Sequence, residues 1–492
     1  MTESSIPAIP LELMTALLAL LALTPTSVSE ITWTPYVLRA GNEMAEGELG
    51  RLKVPENRAE SKGTVELAFV RLKSTAEKPG PPIVYLDGGP GSSAINLARA
   101  SEYFAVFQKL RAAGDVILLD QRGIGLSKPN LTFLGGGPLG DRFFETKETF
   151  LAPFLTRIRA GFKHFTDQGV HLPSYNTQES ADDVDAIRQA LGVPKISILG
   201  FSYGTHLGLS VIRRHGSNLD RAVLIGTEGP DHTVKMPSEG DRQIERISAL
   251  VAKDPAWSKL VPDFKSLVAR AMKKLEAQPA PVEFEVSGAM VKNSVGRFGL
   301  SHLLCRDLGD TRDFPWFPML FHTIDQGDYR FLSRIAQRRY TQYLPGVSLM
   351  TVVCDYVSGA SPSRDTASAK EAETALLGDA MNAFSVDMGK EFMLKVLPDE
   401  FRSPIRTDVQ TLFISGTLDW NTQPHQAEEV RKTFSQSEHL VIENAGHEDM
   451  LTHPQVSDQI LGYLQGKSTA GFKLTLTVPP FMPPPAFSKA KG

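Results

Sequence analysis

The sequence predicts an α/β fold: a mostly parallel central sheet flanked by helices, with a large, mainly helical cap inserted before the strand that carries a candidate catalytic acid. Two observations predict it. Short apolar runs at residues 83–86, 116–119, 196–199 and 222–225 alternate with stretches of helical spacing, as in strands covered on both faces by crossover helices. The alternation stops near Pro230 and resumes only at 411–414 and 439–442.

Residues 13–23 form an apolar run, shorter than the roughly 20 residues of a membrane span but as long as a signal-peptide core. Ser27-Val28-Ser29 suits a cleavage site, yet the first basic residue is Arg39, whereas a signal peptide carries positive charge ahead of its core. Export and cytoplasmic retention therefore both stay open for the segment 1–33. Residues 48–54 and 64–72 are β-prone and flank the polar turn Pro55-Glu56-Asn57-Arg58, which predicts an antiparallel pair. The strand 83–86 leads into a Gly-rich turn, and 116–119 ends in Asp120-Gln121-Arg122-Gly123. Residues 179–191 have helical spacing, with Asp182, Asp183 and Asp185 near the start, where acids suit the helix dipole. The core thus divides into 34–230 and 405–466, the cap spans 231–404, with helical stretches at 243–252 and 264–275, and 467–492 is a Pro-rich, loosely held tail.

Composition excludes several functions. The 492 residues are 41% hydrophobic and 22% charged, with a formal net charge of −4 and no Lys/Arg block, so nucleic acid and acidic membranes find no electrostatic footprint. Cys305 and Cys354 are the only cysteines, too few for a disulfide framework or a cysteine metal site. Two buried thiols, or in an exported chain one bridge within the cap, are both open. No metal or cofactor motif is present: His447-Glu448-Asp449-Met450-Leu451 lacks the second histidine of H-E-x-x-H, and the Gly-rich turn lacks a Walker lysine.

The chemistry lies at strand ends. Gly200-Phe201-Ser202-Tyr203-Gly204 matches G-x-S-x-G between the strand 196–199 and a helical stretch, the setting in which a sharp, strained turn exposes a nucleophilic serine. An acid and a histidine are expected after it, in that order. Asp419 follows the strand 411–414 and His447 follows 439–442, both at the sheet edge where open α/β folds place their sites. His439 and His453 start elements, and His206, one turn past Ser202, suits packing. Charge developing on a carbonyl oxygen needs two donors. The backbone N–H of Tyr203 is one; the turn Asp87-Gly88-Gly89-Pro90-Gly91 offers the other, with Gly89 preferred and Gly88 the alternative.

Together, Gly88-Gly89-Pro90-Gly91, Asp120-Gln121-Arg122-Gly123-Ile124-Gly125-Leu126-Ser127 and the Ser202 elbow resemble the prolyl iminopeptidase family of α/β-hydrolase serine peptidases. The long cap, Val54-Pro55-Glu56-Asn57-Arg58 and Gly416-Thr417-Leu418-Asp419 look closer to its tripeptidyl-aminopeptidase-like branch, over about residues 35–465. The resemblance implies an exopeptidase that releases N-terminal residues from short peptides without a cofactor, with Asp120 and Arg122 bracing the nucleophile region. The sequence departs from the family at Asp87, where His or Asn is common. An esterase or amidase acting on small molecules would use the same triad, whereas a non-catalytic binding module would need none of it. A peptidase of this kind must also hold a free ammonium, and a carboxylate outside the triad is required. Glu228, in Gly226-Thr227-Glu228-Gly229-Pro230 just past the strand 222–225, is the candidate, with Asp355 of the cap as the alternative.

Overall fold

The computed structural model describes residues 30–485 apart from 61 and 136. The apolar run at 13–23 and the final residues of the tail lie outside the described residues. Nine strands form one sheet: β1 (Thr32–Ala40), β2 (Glu43–Asn57), β3 (Lys62–Leu72), β4 (Ile83–Leu86), β5 (Val116–Asp120), β6 (Ile196–Phe201), β7 (Leu219–Ile225), β8 (Gln410–Gly416) and β9 (Ser437–Ile442). Their spatial order is β1-β2-β3-β5-β4-β6-β7-β8-β9. The first three strands pair antiparallel and β3 runs antiparallel to β5. From β5 onward every pairing is parallel.

β4, β5 and β6 are buried at every position, which is why they read as unbroken apolar runs. Within β5, Ile117 and Leu119 join the core that continues into the cap, while Val116 and Leu118 join the core on the opposite face. β1 carries Pro35 and is mostly exposed. A proline is tolerated on such an edge strand, and that hides it from a search for apolar alternation. The turn expected at 55–58 falls later, because β2 continues to Asn57 and Pro55 pairs with Thr64.

Six helices matter to the site: α1 (Lys147–Asp167), α2 (Thr177–Ala190), α3 (Tyr203–His215), α4 (Arg297–Asp307), α5 (Leu349–Ser358) and α6 (Pro454–Leu464). The Asp residues near the start of α2 are side-chain ligands rather than dipole complements. Asp183 is buried and receives Nε and Nη2 of Arg122, both at 2.7 Å, and Nη2 of Arg58 at 2.6 Å. Nη1 of Arg122 donates to the Glu56 and Ser174 carbonyls at 2.7 and 2.8 Å. This fully buried guanidinium therefore ties the β2–β3 hairpin to α2, and its bidentate pairing offsets the cost of burying it.

The segment between β7 and β8 is mainly helical but also holds a hairpin, Ala280–Val286 with Ala289–Val295, absent from the sequence reading. α1 precedes the nucleophile in sequence yet packs with the cap: Phe150 lies 4.1 Å from the His302 ring and Phe154 lies 5.4 Å from Tyr343 and 5.1 Å from Phe384. The Pro-rich tail, expected to be loose, is held as far as it is described. Glu443 and the tail exchange two backbone hydrogen bonds, Glu443 N–H to Leu474 O at 3.0 Å and Leu476 N–H to Glu443 O at 2.8 Å. Met482 bonds Pro315 through its N–H at 2.8 Å and accepts from Trp257 Nε1 at 2.6 Å. The prolines cannot donate, so a few intervening residues and carbonyls pin the strap. Among the described residues, no helix is long and apolar enough to cross a membrane.

Candidate active site

Ser202 sits between β6 and α3 with φ 55° and ψ −126°, a strained, positive-φ conformation for a residue with a Cβ. The surroundings hold it there. Its N–H donates to Ile225 O at 3.0 Å and its carbonyl accepts from Thr205 N–H at 2.8 Å and Thr205 Oγ1 at 2.7 Å. A Cβ on Gly200 would lie 2.6 Å from Gly204 O, and one on Gly204 would overlap the Leu86 carbonyl. Both glycines of the motif are thus required by close backbone approach.

Asp419 is wholly buried just past β8. Its Oδ1 accepts from the N–H groups of Asn421 and Thr422 at 2.8 and 3.0 Å, and its Oδ2 accepts from Thr422 Oγ1 at 2.7 Å and His447 Nδ1 at 2.8 Å. Four donors converge on the carboxylate and fix its orientation toward the imidazole. Burial pulls the His447 pKa down, but the charge and hydrogen bond of Asp419 outweigh it and leave the pKa above the ordinary value of 6.5. With Nδ1 committed to Asp419, Nε2 is the free, basic nitrogen. The His447 N–H donates to Gly309 O at 2.6 Å, which ties the loop to the cap. Ser202 and His447 line one cleft of about 510 Å³. Ser202 Oγ makes no hydrogen bond among the described residues, and such contacts commonly tighten only around a substrate.

The Gly-rich loop packs against the nucleophile: a Cβ on Gly88 would lie 2.8 Å from Ser202 Cβ. Its two candidate donors separate cleanly. Gly88 N–H donates to Asp87 Oδ1 at 2.9 Å, whereas the N–H groups of Gly89 and Tyr203 have no acceptor among the described residues. Gly89 holds φ 113°, open to glycine but strained for other residues. Asp120 does brace this region, accepting from Ser93 Oγ at 2.7 Å and from the Ile95 and Leu126 N–H groups at 3.2 and 2.8 Å. Arg122 braces the hairpin and α2 instead. Gln121, which sequence reasoning passed over, donates to the Asp87 carbonyl at 3.0 Å.

Asp87 itself is buried. Its Oδ1 also accepts from Tyr85 Oη at 3.0 Å, and its Oδ2 has no partner among the described residues. Burial pushes its carboxyl up to about 6, against the hydrogen bonds from Gly88 and Tyr85.

Glu228 and Asp355 line the same cleft as Ser202. Glu228 is not a free carboxylate: Oε2 pairs with Nζ of Lys235, while Oε1 is buried without a partner among the described residues. Burial raises the Glu228 pKa, but Lys235 and then His206 bring it below the usual carboxylate range. Burial and then the charge on Glu228 drive Asp355 well above it. Nothing in the spacing of the sequence announced Lys235. His206 is buried and packs structurally, its ring nitrogens each 3.1 Å from Gly229 O and Ser358 Oγ. Cys305 and Cys354 are two separate buried thiols, with no bridge between them. No group of three or more potential metal ligands occurs among the described residues.

The chain is 30% identical over 217 residues to the serine protease Hip1 of Mycobacterium tuberculosis, covering 41% of this chain and 40% of that protein. It is 30% identical over 198 residues to the tripeptidyl aminopeptidase of Streptomyces lividans, covering 38% of this chain and 34% of the relative. A putative hydrolase of Escherichia coli, YuaR, is 29% identical over 217 residues, covering 41% of each chain. The chain therefore spans well under half the length of the curated relatives it matches. The model of the α/β hydrolase fold matches residues 81–454, from the foot of β4 to the start of α6. A match over more than half of its length, on a sheet of this order, places the chain in the α/β-hydrolase fold family.

Proposed function

We propose that this protein is a serine hydrolase acting as an exopeptidase, releasing N-terminal residues from short peptides through an acyl-enzyme. The observation that carries the reading is the Asp419–His447 pair on the cleft of Ser202, beside two uncommitted backbone donors. Ser202 Oγ attacks the scissile carbonyl carbon and its proton passes to His447 Nε2. The carbonyl oxygen becomes an oxyanion received by the N–H groups of Gly89 and Tyr203. The C–N bond breaks as His447 returns the proton to the departing amine. Water then attacks the ester, its proton passing to His447 and on to Ser202 as the acyl group leaves.

The peptidase assignment draws support from the relatives named as a serine protease and a tripeptidyl aminopeptidase, and from carboxylates in the cleft beyond the triad. An entering ammonium loses water and needs a compensating charge. Glu228 with Asp355 supplies it, since an ammonium beside Asp355 favours its ionised form. A panel of free-amine peptidyl amides, their N-acylated counterparts and simple esters tests the reading. Cleavage of the free-amine peptides, lost on N-acylation, is expected. Turnover of the esters alone would replace the exopeptidase with an esterase.

A further inference from the structure

The cleft that holds Ser202 carries its charges unevenly. Glu228, Lys235 and Asp355 cluster where the chain leaves β7 and on α5, while Asp87 and Glu448 also line the cleft, Glu448 accepting from Tyr103 Oη at 3.1 Å. α4 contributes His302, Cys305 and Arg306 to the same lining. Arg306 is exposed and lines the cleft. Its neighbour Asp307 takes Arg338 at 2.9 Å and also pairs with Arg339, leaving Arg306 with no ion-pair or hydrogen-bond partner among the described residues. A cation in the last turn of a helix suits the dipole wherever it points. What distinguishes Arg306 is that it faces the reaction cleft while its helix end is fixed to the triad. Trp420 Nε1 donates to Cys305 O at 3.1 Å, and Gln243 Nε2 bridges the carbonyls of Leu308 and Leu418 at 2.8 Å each. Gly309 O receives the His447 N–H.

His447 hands its proton to the departing amine, so the leaving part of the substrate lies on its side of the cleft. α4, which carries Arg306, is bonded to the His447 loop through the Gly309 carbonyl. A planar guanidinium with free donors matches a carboxylate bidentately. We propose that Arg306 is a specificity-determining residue that binds a carboxylate on the leaving-group side, namely the free C-terminal carboxylate of a short peptide. The ammonium site and this cation then select a zwitterion from its two ends, so peptide length is measured across the cleft. This rests on the exopeptidase reading above.

The test uses the full chain and alanine peptides of two to six residues, each as the free acid and as the C-terminal amide. The wild type is expected to favour the free acid by about 10- to 100-fold in kcat/KM, the range for a charge-assisted pair, chiefly through KM and only at short lengths. Arg306→Gln is expected to bring the acid-to-amide ratio close to one, and Arg306→Lys, which keeps the charge without the fork, to retain part of it. No preference in the wild type, or one unchanged in Arg306→Gln, would overturn the proposal. C-terminally amidated peptides carrying Glu in the departing part separate the two sources of carboxylate. If they match the free acids and lose that advantage in Arg306→Gln, a side chain is the ligand and the terminal-carboxylate assignment falls. Should the wild type cleave esters but no peptide, the exopeptidase reading fails by itself. The same ratio is then read on esters of 4-hydroxybenzoate and 4-hydroxybenzamide, and a ratio near one there would remove Arg306 as an anion site as well.

Discussion

Replacing Asp87 by asparagine separates the charge of this side chain from its shape. The carboxyl is pushed up to about 6 by burial, against about 3.9 in an unfolded chain. The folded state therefore holds the proton more tightly. A carboxyl raised in this way contributes stability that is complete below about pH 3.9 and is lost as pH rises through about 6. A gap of about two pH units, at about 1.4 kcal/mol per unit, sets that loss at about 3 kcal/mol by pH 8. Asparagine keeps an oxygen to accept from Gly88 N–H and Tyr85 Oη and cannot ionise. Asp87→Asn is expected to match the wild type near pH 4 and to exceed it by up to about 3 kcal/mol at pH 8. Denaturant midpoints of both proteins, measured from pH 4.5 to 8, read the difference directly. A gap that does not change with pH, or a variant less stable at pH 8, would mean that the charge is compensated in the fold, and the reasoning would fail.

Ser202→Ala is expected to abolish turnover with little change in stability, and a fluorophosphonate should label the wild type once and the variant not at all; labelling at another residue would displace Ser202 as nucleophile. Because His447 must be neutral to act as base and its pKa lies above 6.5, kcat/KM should rise with pH through an apparent pKa above that value. Asp419→Asn should lower kcat by about 10⁴-fold and move the apparent pKa of any residual activity downward, since the charge that favours imidazolium is gone; an unmoved limb would assign it to another group. Glu228→Gln should reduce cleavage of free-amine peptides by about 10- to 100-fold while sparing simple esters, and equal loss on both classes would give Glu228 a structural role.

What could be read from the sequence was what is decided within a few residues. The elbow glycines, the apolar central strands and the placement of Asp419 and His447 after β8 and β9 all depend on local geometry, and the sequence expresses each as a motif or a pattern. The failures involve partners distant in the chain or a strand without a distinctive face. β1 escaped because Pro35 and an exposed face remove its alternation. Asp182 and Asp183 looked like helix-start acids, and only the fold brings Arg214 and His215 to the first and Arg58 and Arg122 to the second. The tail composition suggested looseness, but backbone carbonyls and a few N–H groups suffice to hold it.

The same distinction separates chemistry from selectivity in this molecule. Ser202, Asp419 and His447 are set by strand ends of one sheet, so their geometry belongs to the core. The cleft around them is assembled from segments that the sequence separates widely: Phe150 and Phe154 from α1, His302 and Arg306 from α4, Asp355 from α5. Each wall is anchored on the core by its own contacts, such as Gly309 O to His447 N–H for α4 and Thr351 Oγ1 to Pro90 O at 3.0 Å for α5. A change in the cap can therefore alter which substrate is admitted without touching the triad. A change at those anchoring contacts acts on both, because the Pro90 carbonyl lies in the loop of Gly89, the proposed oxyanion donor, and the Gly309 carbonyl holds the loop of His447, the proposed general base.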